Sequence, residues 1–214
     1  MKKILLSILA ISALSTAVIA GPNSSGAYIG LGYGTTAYND SDYLKKELDL
    51  DNLEKSDSGY KVYGGYQFNN IIGIEAAYTG YGKFTADNDF ENNVFANEST
   101  AFSVAANLGY SFLDGQLRPY TVLGLSYVSS NHSNYPTKLA ASSGSTEVIP
   151  PDDSHGAFHY GLGIQYEPDA LIGFGIRLAY EADVYAIAIE RTDTDDKTYG
   201  QGLGIAYLGV QYKF

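Results

Sequence analysis

The chain has 214 residues, no cysteine and a formal charge of −11 at pH 7, with 24 acidic against 13 basic side chains. The missing thiols exclude a disulfide framework and a lipid anchor on cysteine, and the acidic balance argues against nucleic acid or any other polyanion as a partner. Twenty Tyr, nine Phe, no Trp and 24 Gly describe a strand-rich chain that mixes aromatic with very small side chains.

The first element is an address. Met1-Lys2-Lys3 leads an apolar stretch from Ile4 to about Ala17 that ends in Val18-Ile19-Ala20, the layout of a cleavable secretory signal. A membrane helix needs roughly 20 unbroken apolar residues, whereas Ser7, Ser12, Ser15 and Thr16 interrupt this run. Cleavage is expected after Ala20, so residues 1–20 are read as signal and residues 21–214 as one barrel domain. Losing Lys2 and Lys3 takes the formal charge by two, from −11 to −13.

Eight segments then alternate apolar and polar residues with a period of two. In chain order their apolar faces are Ile29, Leu31, Tyr33; Tyr60, Val62, Tyr66, Phe68; Ile72, Ile74, Ala76, Tyr78; and Phe102, Val104, Ala106, Leu108, Tyr110, Phe112. Leu123, Leu125, Tyr127 follow, then Phe158, Tyr160, Leu162, Ile164, Tyr166; Ile172, Phe174, Ile176, Leu178, Tyr180; and Leu208, Val210, Tyr212, Phe214. No Asp, Glu, Lys or Arg falls on these faces, where a basic residue at the bilayer midplane costs about 2–4 kcal/mol. The run from Val184 to Ile189 is apolar on both faces, which fits either an extension of the seventh strand or a bulge. Pro22, Pro136, Pro150, Pro151 and Pro168 fall outside the segments and Pro119 at a strand start.

The connections alternate in length. Those at Asn69-Asn70, Leu113 to Leu117 and Glu167 to Ala170 are short, while residues 39–58, about 83–98, 129–155 and about 190–199 form long polar loops. That is the rhythm of an antiparallel up-and-down transmembrane β-barrel with short periplasmic turns and long extracellular loops. In the first loop, Leu44, Leu48 and Leu53 have the spacing of a short amphipathic helix.

Arg118-Pro119-Tyr120 leading into Gly124, the segment from Gly175 to Glu181, and the terminal Leu208, Val210, Tyr212, Phe214 resemble the small outer-membrane barrels grouped around the OmpA transmembrane domain, OmpX and the opacity-type surface antigens. The resemblance covers the whole chain after the signal and implies a location in the outer membrane of a Gram-negative cell. It also implies that the terminal strand Leu208, Val210, Tyr212, Phe214 is the signal read by the outer-membrane assembly machinery. The chain departs from OmpA in having no peptidoglycan-binding domain after Phe214, so a cell-wall tether is not implied.

The opposite faces point inward. They carry Lys61, Gln67, Glu75, Asn107, His159, Gln165, Arg177, Glu181, Gln211 and Lys213, and charges there must pair, because an isolated ion in a poorly hydrated lumen is costly. Lys61, Glu75, Arg177 and Glu181 are expected to form one salt-bridge network. Gly161, Gly163, Gly173 and Gly175 would either leave voids beside the aromatics or make room for Tyr63, Tyr120 and Tyr207. Eight strands enclose a space that side chains fill, so the network is read as a plug rather than a gate. His132-Ser133 faintly resembles the pair of the outer-membrane lipid A deacylases, but consecutive residues of a strand face opposite ways. His155 and His159 lack the spacing of a triad or of a metal cluster.

The reading is therefore an integral outer-membrane protein with a structural and surface-interaction role, no wide pore, no catalytic or metal site and no cofactor. A narrow gated channel for small or apolar solutes is the alternative, and a lipid-modifying enzyme the remote one. Expected partners are outer-membrane lipid and lipopolysaccharide, the assembly machinery and a surface ligand of the loops. The acidic groups Asp40, Asp42, Asp49, Asp51, Asp57, then Asp152-Asp153, then Asp193, Asp195, Asp196 could collect divalent cations, though such runs are usually solvated loops.

Overall fold

The computed structural model describes residues 25–39, 52–54, 58–87, 95–133, 154–189 and 197–214. The signal segment, Pro22, Pro136, Pro150 and Pro151, the acidic groups of the loops, and Leu44 and Leu48 lie outside these residues.

The barrel strands are β1 (Gly26–Asn39), β3 (Ser58–Gln67), β4 (Ile72–Asp87), β5 (Phe95–Gly109), β6 (Leu117–Ser133), β7 (Ser154–Tyr166), β8 (Phe174–Ile189) and β9 (Lys197–Lys213). All pair antiparallel in the order β4-β3-β1-β9-β8-β7-β6-β5, and β4 pairs with β5 to close the ring. The eight expected strands thus form one closed sheet without a free edge. A ninth, β2 (Asn52–Glu54), extends the end of β4, with Leu53 opposite Ala86. Leu53 is therefore in a strand and not in a helix, because the unpaired backbone at the end of β4 offers it a ladder.

Closure decides what each face does. Ile29, Leu31, Leu125, Leu162, Leu178, Leu208 and Val210 are each more than half exposed on the outside, while the polar positions opposite them are buried. Tyr66, Phe68, Tyr110, Phe112, Tyr166 and Phe174 ring the end with the short turns, and Tyr33, Tyr60, Tyr78, Tyr127, Tyr160 and Tyr180 ring the wall further up. Two aromatic girdles flanking an apolar band are the outer surface of a barrel in a bilayer.

The structure settles or corrects several details of the sequence reading. The strands run further into the long connections than their apolar faces suggested, β4 to Asp87 and β6 to Ser133, because antiparallel partners keep pairing after the lipid-facing pattern stops. Val184 to Ile189 extends β8 in unbroken register with β9, from Val184↔Gly202 to Ile189↔Lys197. Ile172 belongs to the turn, where Gly173 at φ 78° makes the left-handed step into β8. A bulge does occur, but in β4: the register with β5 jumps between Gly80 and Lys83, and Gly82 at φ 73° takes the strain. The Leu113–Gly115 connection is a short 3-10 turn with Asp114 and Gly115 at positive φ. Pro119 is the third residue of β6, and its carbonyl accepts from Tyr110 N at 3.1 Å.

Candidate functional site: the filled lumen

The lumen is organised in layers. At mid-height the structure brings Lys61 of β3, Glu75 of β4, and Arg177 and Glu181 of β8 together. Lys61 Nζ lies 3.3 Å from Glu75 Oε1 and also donates to Glu181 Oε2. Arg177 Nη1 donates to Glu75 Oε2 at 2.8 Å. The carboxylates are further held by Tyr28 Oη and Asn107 Nδ2 on Glu75 Oε2, at 2.8 and 3.3 Å, and by Tyr207 Oη on Glu181 Oε1 at 2.7 Å.

Aromatic rings complete the shell. The Arg177 guanidinium carbon sits 4.2 Å from the ring centre of Tyr63, 4.8 Å from Tyr120 and 5.6 Å from Tyr28, so its remaining N–H groups face π clouds in place of oxygen. Arg177, Tyr63 and Tyr207 are at most 1% exposed. The glycine partners of these rings differ from the expected ones. A Cβ at Gly30 would fall 2.3 Å from Tyr63, one at Gly32 2.4 Å from Tyr207 and one at Gly163 2.6 Å from Tyr120. Of the expected four, Gly163 thus does seat Tyr120, whereas Gly161 and Gly175 lie against Glu181 and Glu167, and Gly173 makes the turn. The rings lean sideways across the ladder: Tyr63 and Tyr120 lie on the residues paired with them, Gly30 and Gly163, whereas Tyr207, paired with Gly34, reaches diagonally to Gly32.

One step higher, His159 of β7 bridges the network to a residue that the sequence reading missed. Its Nε2 is 3.2 Å from Glu181 Oε2 and its Nδ1 2.7 Å from Asp183 Oδ1; both nitrogens donate together in the doubly protonated ring. Asp183 also accepts from Tyr81 Oη at 2.5 Å and Ser126 Oγ at 2.6 Å. Three acids and three bases, Glu75, Glu181, Asp183, Lys61, Arg177 and His159, thereby form one connected set joining β3, β4, β7 and β8. Asp183 was legible in principle, since inward parity runs 177, 179, 181, 183 along β8. So was Tyr81, since inward parity runs 75, 77, 79, 81 along β4; the bulge between Gly80 and Lys83 then breaks the period, so that Phe84 faces inward out of turn.

Below this set, Arg118 Nη1 donates to Asn107 Oδ1 at 2.7 Å, Gln165 and Gln211 converge on Glu167 Oε1 at 2.6 and 2.7 Å, and Lys213 Nζ donates to Gln67 Oε1 at 3.2 Å. Above it the interior is mixed: Phe84, Val128, Ile187 and Leu203 are each at most 2% exposed, and beside them lie buried Ser99, Ser130 and Gln201, with Ser99 Oγ 3.0 Å from Ser130 Oγ and Tyr185 Oη donating to Gln201 Oε1 at 3.1 Å.

The polar groups of this layer are engaged mainly with one another. Ser126, Asp183 and His159 are the residue types of a catalytic triad, but the carboxylate stands between the other two, and the far nitrogen of His159 faces Glu181 and no nucleophile. His155 stacks on Tyr185 at 5.1 Å. His132 and Ser133 are consecutive residues of β6, paired with Asn97 and Ala96, and their side chains lie outside the described ones. The terminal residues Leu208 and Val210 face outward, and Tyr212 and Phe214 stack edge-on at 5.1 Å. The Phe214 amide donates to Ala27 O at 2.9 Å beside the β1–β9 seam.

The comparisons agree with this architecture. Residues 6–214 match the family model described as outer membrane protein beta-barrel domain. The chain belongs to that family and is an integral outer-membrane β-barrel. Among solved structures it is similar to the outer membrane protein OprG from Pseudomonas aeruginosa, with a TM-score of 0.56, 13% identity, and 90% of this chain and 97% of that one covered. Neisserial surface protein A gives a TM-score of 0.56 at 13% identity, covering 89% and 99%. Ail, the attachment invasion locus protein of Yersinia pestis, gives 0.49 at 20%, covering 88% and 99%. The likeness to OprG and to Neisserial surface protein A establishes the fold alone. Comparison with curated proteins finds no match.

Family membership orients the barrel. The short turns after β3, β5 and β7 face the periplasm, and the extended ends of β4, β5, β6, β8 and β9 rise on the extracellular side.

Proposed function

We propose that this protein is a closed, non-catalytic barrel that occupies the outer membrane and holds its extracellular strand ends and loops at the cell surface for interaction. The observation that carries the reading is the continuous filling of the lumen: a paired ionic layer at mid-height, rings packed on it, and buried side chains above, with Arg177, Glu181 and Asp183 no more than 1% exposed. A path for solute would need several buried ion pairs to part at once, and separating one such pair costs about 3–5 kcal/mol. The absence of a free nitrogen on His159 and of a nucleophile beside it supports a non-catalytic role. Leu208, Val210, Tyr212 and Phe214 serve as the assembly signal in this reading, and Lys61, Glu75, Arg177 and Glu181 as the plug.

The absence of cysteine makes the surface arm directly testable. Asn131→Cys, on an exposed strand end, should react on intact cells with a membrane-impermeant maleimide, while Asn70→Cys, in the turn after β3, should react after lysis alone. Labelling of Asn70→Cys on intact cells would invert the orientation and remove the surface role.

A further inference from the structure

β7 and β8 separate near the extracellular rim. Their ladder runs from Tyr166↔Ile176 up to Phe158↔Val184 and stops there, although β7 stays paired with β6 as far as Ser154↔Ser129 and β8 with β9 as far as Ile189↔Lys197. The two strands thus form a fork whose arms are residues 154–157 and 185–189. Between the arms, the ring of His155 stacks on Tyr185 at 5.1 Å. The last inward rung below the split is His159↔Asp183. That rung is also a side-chain bond, His159 Nδ1 to Asp183 Oδ1 at 2.7 Å, and the other ring nitrogen lies 3.2 Å from Glu181 Oε2. His159 is 2% exposed and Asp183 0%, so neither is open to bulk solvent.

We propose that His159 is a proton-operated pin at the base of this fork: its charged ring holds β7 to β8, and loss of one ring proton lets the split run further down the ladder. The argument is one of donors and acceptors. A charged imidazole donates from both nitrogens, whereas a neutral one donates from one and carries a lone pair on the other. Both nitrogens of His159 face carboxylate oxygens, so either neutral tautomer sets a lone pair against a buried anion. The two anions are not equally provided for. Glu181 keeps Lys61 of β3 and the hydroxyl of Tyr207 on β9. Asp183 keeps the hydroxyls of Tyr81 on β4 and Ser126 on β6, but among the described residues its one cationic partner is His159, and a buried carboxylate without its cation is strongly unfavourable. The other charges of the layer, Arg177 of β8 and Glu75 of β4, pair with each other deeper in the lumen, where Lys61 joins them. The lumen therefore stays shut when the pin is drawn. What changes is the spacing of the strand ends that carry the connections 134–153 and 190–196, so the inference is independent of the closed-barrel reading.

Spin labels on Gly156→Cys and Ala186→Cys, exposed positions on the two arms, measure the split by pulsed electron resonance in the whole refolded barrel. The chain has no cysteine of its own, and a Cβ at Gly156 meets nothing within 4 Å. The pH is taken from about 6 to about 9.5, a range that covers the ordinary histidine titration and stops short of those of tyrosine and lysine. Across it the label distance should lengthen reversibly by one strand spacing, about 5 Å, while labels at Leu162 and Tyr180, a pair lower in the ladder, should keep theirs. His159→Gln donates on one side and accepts on the other, so it should show the long distance at both pH values. Asp183→Asn can donate its amide to a neutral ring; it should show the short distance at both, and it covers a failure of His159→Gln to fold. His155→Phe keeps the stack on Tyr185 and should keep the response. An unchanged distance in the folded wild type, a response that survives in His159→Gln or Asp183→Asn, or one lost in His155→Phe would each overturn the proposal.

Discussion

At the scale of single residues, the lumen behaves as a core made of charge. Arg177 and Lys61 are tolerated inside because every carboxylate they face is also held by a hydroxyl or an amide, which satisfies the lone pairs that burial would otherwise leave bare. Removing one partner is then more damaging than its single bond suggests. Arg177→Leu leaves Glu75 with Lys61 alone as a counter-ion, and should lower stability by about 3–5 kcal/mol, read as an earlier midpoint in a urea titration of the heat-modifiable band. An unchanged midpoint would mean that the network is solvated. Asp183→Ala should cost a similar amount, since it orphans the hydroxyls of Tyr81 and Ser126 and the Nδ1 of His159 together. Gly30→Ala tests the packing of rings on glycine. The new methyl meets Tyr63, which is boxed in by Arg177, so about 1–3 kcal/mol of overpacking is expected. Tyr63→Leu in the same chain should recover part of it; no recovery would place the cost elsewhere.

At the scale of elements, each strand divides lipid from lumen by parity. Leu162 and Ile176 face outward and Gln165 inward on adjoining strands. Leu162→Arg or Ile176→Arg should cost about 2–4 kcal/mol and reduce the amount of folded barrel in isolated outer membranes, whereas Gln165→Ala loses one hydrogen bond to Glu167 and about 1 kcal/mol. Comparable levels of all three variants would contradict the assignment of faces. The same parity explains what could be read from the sequence. Strand number, the short turns and the meeting of Lys61, Glu75, Arg177 and Glu181 follow from a period of two and the need of buried charges to pair. Asp183 obeyed the rule but lay beside a stretch apolar on both faces, where Tyr185 and Ile187 fill the upper lumen while Val184 faces out, so alternation of polarity lost its contrast. Phe84 escaped because the bulge that turns it inward is set by local φ at Gly82 and by the ladder with β5, neither of which has a periodic signature. The floors of Tyr63 and Tyr207, Gly30 and Gly32, escaped because they depend on which residues stand opposite across β1–β3 and β1–β9, a matter of register and not of composition.

At the scale of the whole molecule, sheet closure and charge pairing depend on each other. Eight strands leave an interior just wide enough for side chains, and the side chains present are long, charged and aromatic, so they meet across the lumen and tie β3 and β4 to β7 and β8. The lower part of the lumen is a polar lattice, the middle an ionic one, and the top is filled by apolar side chains with the hydrogen-bonded Ser99, Ser130 and Gln201 among them. The central claim is that the barrel is shut, and single-channel recording of the refolded protein in planar bilayers, with heat-modifiable migration as proof of folding, tests it most directly. Wild type should be electrically silent, and small openings should emerge in Arg177→Ala. Reproducible openings in the folded wild type that change in Glu75→Gln would contradict the account and make the ionic layer a conducting path.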